Sequence, residues 1–375
     1  VYEVNGGINS SNNQKTIQKE ELPFTLDVPV KMGYNFAGWY ADCSYSRKVT
    51  KIDEDSPANM VLFAKWTKNI DNHYNVEMYS YQTGTIRDNS QKELKECSYT
   101  FLDDLSIPGM PSTREKDYKD NLISSSSQCM QGLCFTPDYI LITAYSEDRK
   151  NLGSLMVFDR ESGEYLVTLG MKKESHLGGI AFDGENVWVT YGKNLQSFKF
   201  NQVQAAVLSG RPYYEIYRFA SVVKMPETMS YVTYYNNRIW AAAYSEFSSK
   251  YMYGYTIQNK SAAPSLTYTN RILMPNRTQG VVFTTSGKMI VSRSCQTKKG
   301  RRGFMSQLET YQPTWDYAKL SIKKNKKKKT VKMPPMNEGI AIDGAYTYVI
   351  YESPAFYECQ AKLDRVTAFK TSKIS

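Results

Sequence analysis

The sequence predicts an all-β protein, a small β-rich module followed by a five-bladed β-propeller. Three observations carry this. The 375 residues include 30 tyrosines, while long runs of Ala, Leu, Glu and Lys are scarce, which favours strands with half-buried aromatic faces. Residues 1–67 hold a set of short alternating segments with two tryptophans. Beyond them one two-strand phrase recurs five times. Hydrophobic residues make up 41% and charged residues 22%, so a real core can form.

In the first module, Tyr2–Val4 reads as a short strand ending in the turn Asn5-Gly6-Gly7, which calls for positive φ. Gly33-Tyr34 leads into Phe36-Ala37-Gly38-Trp39-Tyr40, where aromatics alternate with small residues. A last strand, Met60–Trp66, sets Val61, Phe63 and Lys65 against Leu62, Ala64 and Trp66, with Trp39 and Trp66 as core anchors. The series NGG…P…GYNFAGWY…LFAKWT resembles the Listeria–Bacteroides repeat, also called the internalin B-type repeat. That resemblance implies a β-grasp-like unit of the kind found in tandem on bacterial surface proteins, as a stalk or adhesive module.

A polar linker over 68–95, with His73, separates this module from a propeller over 96–375. The repeated phrase is a polar residue, a small residue, an apolar strand, a turn and a second strand. The first copy is Gln131-Gly132-Leu133-Cys134-Phe135 with YILITAYS, and the second runs from His176 through Gly178-Gly179-Ile180 to NVWVTYG. The third runs from Glu227-Thr228 through MSYVTYY to RIWAAAYS. The fourth is Gln279-Gly280-Val281 with KMIVSRS, and the fifth is Glu338-Gly339-Ile340 with TYVIYES. Starts fall roughly 45 to 60 residues apart, and further strand-like pieces follow most copies, the period of a propeller. LQSFKF and YYEIYRF fall to the second copy, YMYGYTIQ and LTYTNRIL to the third. The fifth has one clear further strand, RVTAFKT, and CSYTFLDDL ahead of the first copy supplies the missing outer strand and closes the ring. A six-bladed ring is the alternative and needs a blade within 95–128, where PGMPSTREKD reads as loop. The phrases QGLCFTPDYILITAYS, GSLMVFDRESGEYLVTLGMKKESHLGGIAFDGENVWV and MPPMNEGIAIDGAYTYVIYES also resemble a group of secreted bacterial propeller-like proteins of uncharacterised activity. This resemblance covers roughly 125–375 and implies an extracellular or cell-wall location.

In a propeller the innermost strands line the axis, so one repeat position recurs around a channel. Gln131, His176, Glu227 (or Thr228), Gln279 and Glu338 form the candidate ring, placed to bind a small ligand or to hold ordered water. A second set, Tyr145, Tyr191, Tyr244, Arg293 and Glu352, ends the second strands, each followed by a small residue. These residues suit stacking on a sugar at a propeller mouth or packing between blades, with Arg293 and Glu352 placed to pair.

For catalysis, Glu227, Glu338 and Glu352 are the carboxylate candidates of a glycoside hydrolase, with His176 tuning one of them. No G-x-S-x-G elbow occurs, and two histidines in the whole chain do not make a His-based metal cage. No cofactor is expected, with a hard cation on Glu and Gln oxygens in the channel left open. The six cysteines, Cys43, Cys97, Cys129, Cys134, Cys295 and Cys359, lack paired ligand spacing and are too sparse for a disulfide scaffold. Much of the +10 net charge sits in KKNKKKK at 323–329, which reads as a solvated loop without a nucleic-acid module around it. No segment is apolar enough to span a membrane. The chain starts inside a strand, VYEV, with no signal peptide, as an excised segment would. The expectation is therefore a monomeric bacterial surface or secreted protein whose propeller presents a face to a glycan, peptide or host component. The alternatives are the hydrolase and a purely structural spacer.

Overall fold

The computed structural model describes residues 1–7, 9–10, 12–29, 31, 34–68, 99–106, 113–116, 122–125, 128–146, 152–163, 165–171, 176–211, 213–216, 218–294, 306–316, 321–356 and 365–375. The expected linker, His73, Cys97, Cys295 and Cys359 lie outside the described residues. The regular secondary structure described is nearly all strand, as the composition predicts.

In the first module, Tyr2–Glu3 runs parallel to Leu62–Lys68, which pairs antiparallel with Tyr34–Tyr40, and Lys48–Val49 adds the far edge. The last strand starts at Leu62, two residues later than the pattern predicts. Its alternation is as read, with Leu62 and Ala64 buried and Val61 exposed. Asn5 and Gly6 both take positive φ (47° and 79°), as the turn demands. Trp39 is buried against Leu26, Leu62 and Ala64, and its indole donates to the Asp27 carbonyl at 3.0 Å. Trp66 is half-buried and donates to the Val4 carbonyl at 2.9 Å, tying the first strand to the last.

Among the described residues beyond it, five sheets have four or more strands and are numbered in chain order. Sheet 1 is Gln128–Phe135, Tyr139–Ser146, Ser154–Asp159 and Tyr165–Gly170. Sheet 2 is Ile180–Phe182, Asn186–Tyr191, Asn194–Lys199 and Ser221–Lys224. Sheet 3 is Tyr231–Tyr235, Arg238–Ala242, Lys250–Gln258 and Ser265–Met274. Sheet 4 is Thr278–Phe283, Met289–Arg293, Gln307–Asp316 and Ser321–Lys332. Sheet 5 is Asn337–Asp343, Tyr346–Tyr351, Arg365–Lys370 and, from far upstream, Tyr99–Ser106. The four strands given for each sheet run antiparallel to their neighbours, and Tyr99–Ser106 takes the outer edge expected of it, with Phe369 opposite Tyr99.

Four features differ from the expectation. Tyr213–Glu215 does not complete the second sheet; it runs parallel to Tyr165–Gly170 as a fifth strand on sheet 1, and Ser221–Lys224 takes its place. The chain reaches that strand through a helix the sequence reading lacks, Asn201–Leu208, which buries Val203 and Ala206. Within the expected loop PGMPSTREKD, Thr113–Lys116 pairs with Leu122–Ser125 in a hairpin. The lysine run lies in the outer strand of sheet 4, paired with Gln307–Asp316 along its length, not in a loop. Lysine side chains shield an outer strand's free edge, so a composition that mimics a loop is compatible with a strand held by its neighbour.

The first strands of the five sheets neighbour one another in the order 1-2-3-4-5 and back to 1. Glycines allow it. A Cβ added at Gly132 would lie 2.8 Å from the Ile180 nitrogen, and one at Gly179 2.5 Å from the Val232 nitrogen. One at Gly339 would lie 2.8 Å from the Leu133 nitrogen, closing sheet 5 onto sheet 1. Apolar clusters fill the spaces between sheets. Cys129, Met130, Ile142 and Met156 of sheet 1 meet Ala341, Ile350 and Val366 of sheet 5, and Trp240 and Met252 of sheet 3 meet Val281 and Met289 of sheet 4.

Candidate functional site

The glycine contacts give the axial register directly. Leu133, Ile180, Val232 and Ile340 each receive a neighbouring sheet at the same place, so the residues two positions earlier, Gln131, Gly178, Ser230 and Glu338, are equivalent. Gln279 holds that position in sheet 4, two before Val281. His176 therefore stands two residues ahead of the axial position and is exposed. Glu227 stands three ahead of Ser230, where its carboxylate pairs with Lys250 at 2.7 Å, and Thr228 is exposed. The signal that finds the true position is the glycine-aliphatic pair: aligning HLGGI on its second glycine puts Gly178, not His176, beside Gln131.

Gln131, Gln279 and Glu338 share a backbone cause. Strand register slips between Met130 and Gly132, between Thr278 and Gly280, and between Asn337 and Ile340. Each slip is a bulge, and a bulge re-aims the side chain of the extra residue. All three bulged residues turn into one cluster.

That cluster centres on two carboxyls. Glu338 and Glu352 are 1% and 3% exposed and hydrogen-bond to each other. Gln279 donates its amide to Glu338 Oε1 at 2.7 Å, and Gln131 donates to Glu352 Oε2 at 3.1 Å and to its neighbour's carbonyl, Met130 O, at 3.1 Å. Burial pushes Glu338 far above the usual carboxyl range, and the neighbouring Glu352 adds to it. Burial also pushes Glu352 up to about 7, against the opposing pull of Glu338 and Gln131 hydrogen bonds. The pattern assigns one shared proton, with Glu338 as donor and Glu352 as acceptor. Two glutamines from sheets 1 and 4 thus hold a carboxyl pair from sheet 5.

Tyr145 lies beside this pair. Burial, then Glu352, then the Cys129 thiol raise its phenol well above the ordinary range, so it stays neutral. The His176 imidazole stacks on the Tyr145 ring, centroids 4.1 Å apart and planes 24° off parallel. An exposed histidine thus covers a buried tyrosine that lies beside the buried carboxyl pair.

The other second-strand residues go elsewhere. Arg293 is held by Glu309 at 2.7 Å and by the Asn276 carbonyl and side chain at 2.9 and 2.7 Å. Tyr244 reaches across to the Ser294 carbonyl of the next sheet at 3.4 Å, and Tyr191 is half-buried in the cluster between sheets 1 and 2. Sequence reasoning missed Asn337, whose amide bridges to Ser292 Oγ at 2.8 Å across sheets 5 and 4, both side chains buried. It also missed Cys129, because nothing in a single cysteine marks a tyrosine partner.

Chemically, the amide N–H groups and not the amide oxygens face the carboxyls, a set suited to a proton rather than a hard cation. Among the described residues no group of three or more His, Cys, Asp or Glu side chains is placed to hold a metal ion. Cys43, Cys129 and Cys134 stand as thiols, and burial pushes Cys134 up to about 12.

Residues 1–65 match the model of the Listeria–Bacteroides repeat domain. No curated protein matches the chain. Among solved structures, Kuenenia stuttgartiensis hydrazine synthase is similar over 59% of this chain and 55% of its own, at 10% identity and a TM-score of 0.33. A protein from Lactobacillus plantarum is similar over 62% of this chain and 67% of its own, at 14% identity and a TM-score of 0.36. The chain thus spans about half the length of the hydrazine synthase chain. No helix among the described residues is long and apolar enough to cross a membrane.

Proposed function

We propose that this is a bacterial cell-surface or secreted binding protein in which residues 96–375 form a five-bladed β-propeller that presents a glycan or surface-protein site at its axial mouth. The observation that carries the reading is the stacked His176–Tyr145 pair above a self-satisfied carboxyl cluster. An aromatic platform with polar groups beneath it suits a sugar face or a peptide side chain. The Listeria–Bacteroides repeat at residues 1–65 supports a surface location, since such modules serve as stalks there. The outer strand Tyr99–Ser106, clasped to the last sheet, supports the five-blade count.

The carboxyls do not favour hydrolysis of a glycosidic bond. Paired catalytic carboxyls stand about 5 Å or more apart to admit the sugar. Here they touch each other and are closed from solvent.

A glycan array and a peptide panel, followed by titration, test the proposal. His176→Ala is expected to weaken the selected ligand by about tenfold, the scale of one aromatic contact. Glu227→Gln, away from the axis, should bind as the parent does. Binding untouched by His176→Ala moves the site off the axis. Cleavage of a polysaccharide that is lost on Glu338→Gln overturns the binding-only reading.

A further inference from the structure

We propose that the outer strand of sheet 4, Ser321–Lys332, together with the C-terminal residues 370–373, is a docking face for a linear polyanion of linked phosphates that carries no bases, of which inorganic polyphosphate is the simplest. Seven of the strand's twelve residues are lysine and none is acidic. The strand is the last of its sheet, bonded on one side to Gln307–Asp316. The pairing slips within the run, between Lys329 and Lys327, so Lys328 is a bulged residue and consecutive lysines are not confined to alternate faces. Lys326 and Lys328 are both exposed.

The fold adds to this charge instead of diluting it. The C-terminal turn Thr371–Ile374 is fastened beside the strand: Thr310 Oγ1 donates to the Ile374 carbonyl at 2.7 Å, and the Lys329 ammonium donates to the Lys373 carbonyl. That contact brings the exposed Lys370 and Lys373 to the same region. On the paired strand, Glu309 is already engaged by Arg293 at 2.7 Å and Lys327 at 3.2 Å. Guarding an outer strand against edge pairing takes one or two lysines; seven, with two more brought alongside, add self-repulsion that a polyanion relieves. The absence of arginine from the strand favours point-charge contact with phosphate over the bidentate recognition that reads bases or carboxylates.

Fluorescence anisotropy of the full chain with long-chain inorganic polyphosphate tests this. With four ammonium contacts, affinity should fall about 50-fold between roughly 50 and 200 mM salt. The combined variant Lys326→Gln, Lys328→Gln, Lys370→Gln, Lys373→Gln should lose at least about tenfold in affinity at low salt and most of the salt slope, with an unchanged unfolding temperature. The same four positions changed to Arg should retain binding. Neutralising Lys193, Lys224 and Lys288 instead should leave binding near the parent's. No binding at low salt overturns the proposal. So does equal loss in the second lysine set, which would make the effect one of net charge. Single-stranded RNA or heparin bound tenfold more tightly than polyphosphate would place the occupant in another class and also overturn it. His176→Ala leaves this face intact, so its outcome and that of the axial site are read separately.

Discussion

Glu338 and Glu352 couple the axis to pH. Both carboxyls are raised in the folded chain from the ordinary value of 4.5, Glu352 to about 7 and Glu338 further. A carboxyl whose folded value lies above its unfolded one contributes stability fully below the unfolded value, and the contribution is lost as pH rises through the folded one. Stability to urea should therefore fall between about pH 5 and pH 8, by on the order of 3 kcal/mol for the Glu352 shift alone. Glutamine mimics the protonated acid, so Glu352→Gln should flatten that slope and match or exceed the parent at pH 8, whereas Glu338→Gln, which replaces the carboxyl that keeps its proton, should leave the slope in place. A parent that is equally stable at both pH values would disprove the shared proton. The glycines set a second constraint at this scale. A Cβ at Gly339 would press on the Gln131 carbonyl at 2.7 Å and the Leu133 nitrogen at 2.8 Å, both backbone, where neither neighbour can swing away. Gly339→Ala should cost about 2–3 kcal/mol in chemical unfolding. Gly192 also has positive φ (57°) but nothing within 4 Å, so Gly192→Asn should cost well under 1 kcal/mol.

At the scale of elements, most strands of the five sheets were legible because each alternates or runs apolar between turn residues, as in Tyr139–Ser146 and Arg238–Ala242. What was not legible was pairing. Tyr213–Glu215 and Ser221–Lys224 carry similar local patterns, and only the available edges decide that one joins sheet 1 and the other sheet 2. The helix Asn201–Leu208 is two turns long, too short for its two buried residues to stand out as a period. The bulges at Gln131, Gln279 and Glu338 leave no trace in a single sequence beyond the glycine that follows each. A register fixed by the polar residue therefore drifted to His176 and Glu227. The long-range pairing of Tyr99–Ser106 was legible from a missing partner: sheet 5 lacked a fourth strand and CSYTFLDDL lacked a sheet. Its removal tests the element. A chain beginning at residue 107 exposes the edge of Arg365–Lys370, and it should associate through that edge in light scattering and melt several degrees lower. An unchanged monomer with an unchanged melt would show that the clasp does not hold the ring.

At the scale of the molecule, the two parts have separate cores. Among the described residues, the first module's cluster draws on residues between Tyr2 and Trp66, while each of the other clusters draws on residues between Cys129 and Ile374. Burial drives cooperativity, so two cores that share no buried residue should unfold as two units. Among the described residues the first module has four buried apolar side chains, Leu26, Trp39, Leu62 and Ala64, against dozens in the sheets beyond. A module of this size buries proportionately less surface and should melt first. The tryptophans divide to match: Trp39 and Trp66 report the module, and Trp188, Trp240 and Trp315 report the sheets. Calorimetry of the full chain should show two transitions, with tryptophan fluorescence changing in both. The excised 96–375 segment should keep the upper transition at its original temperature, and the salt-dependent polyphosphate binding with it. A single transition in the full chain, lost or shifted by more than a few degrees in the excised segment, would mean that the module braces the ring. The module and the sheets would then unfold as one cooperative unit.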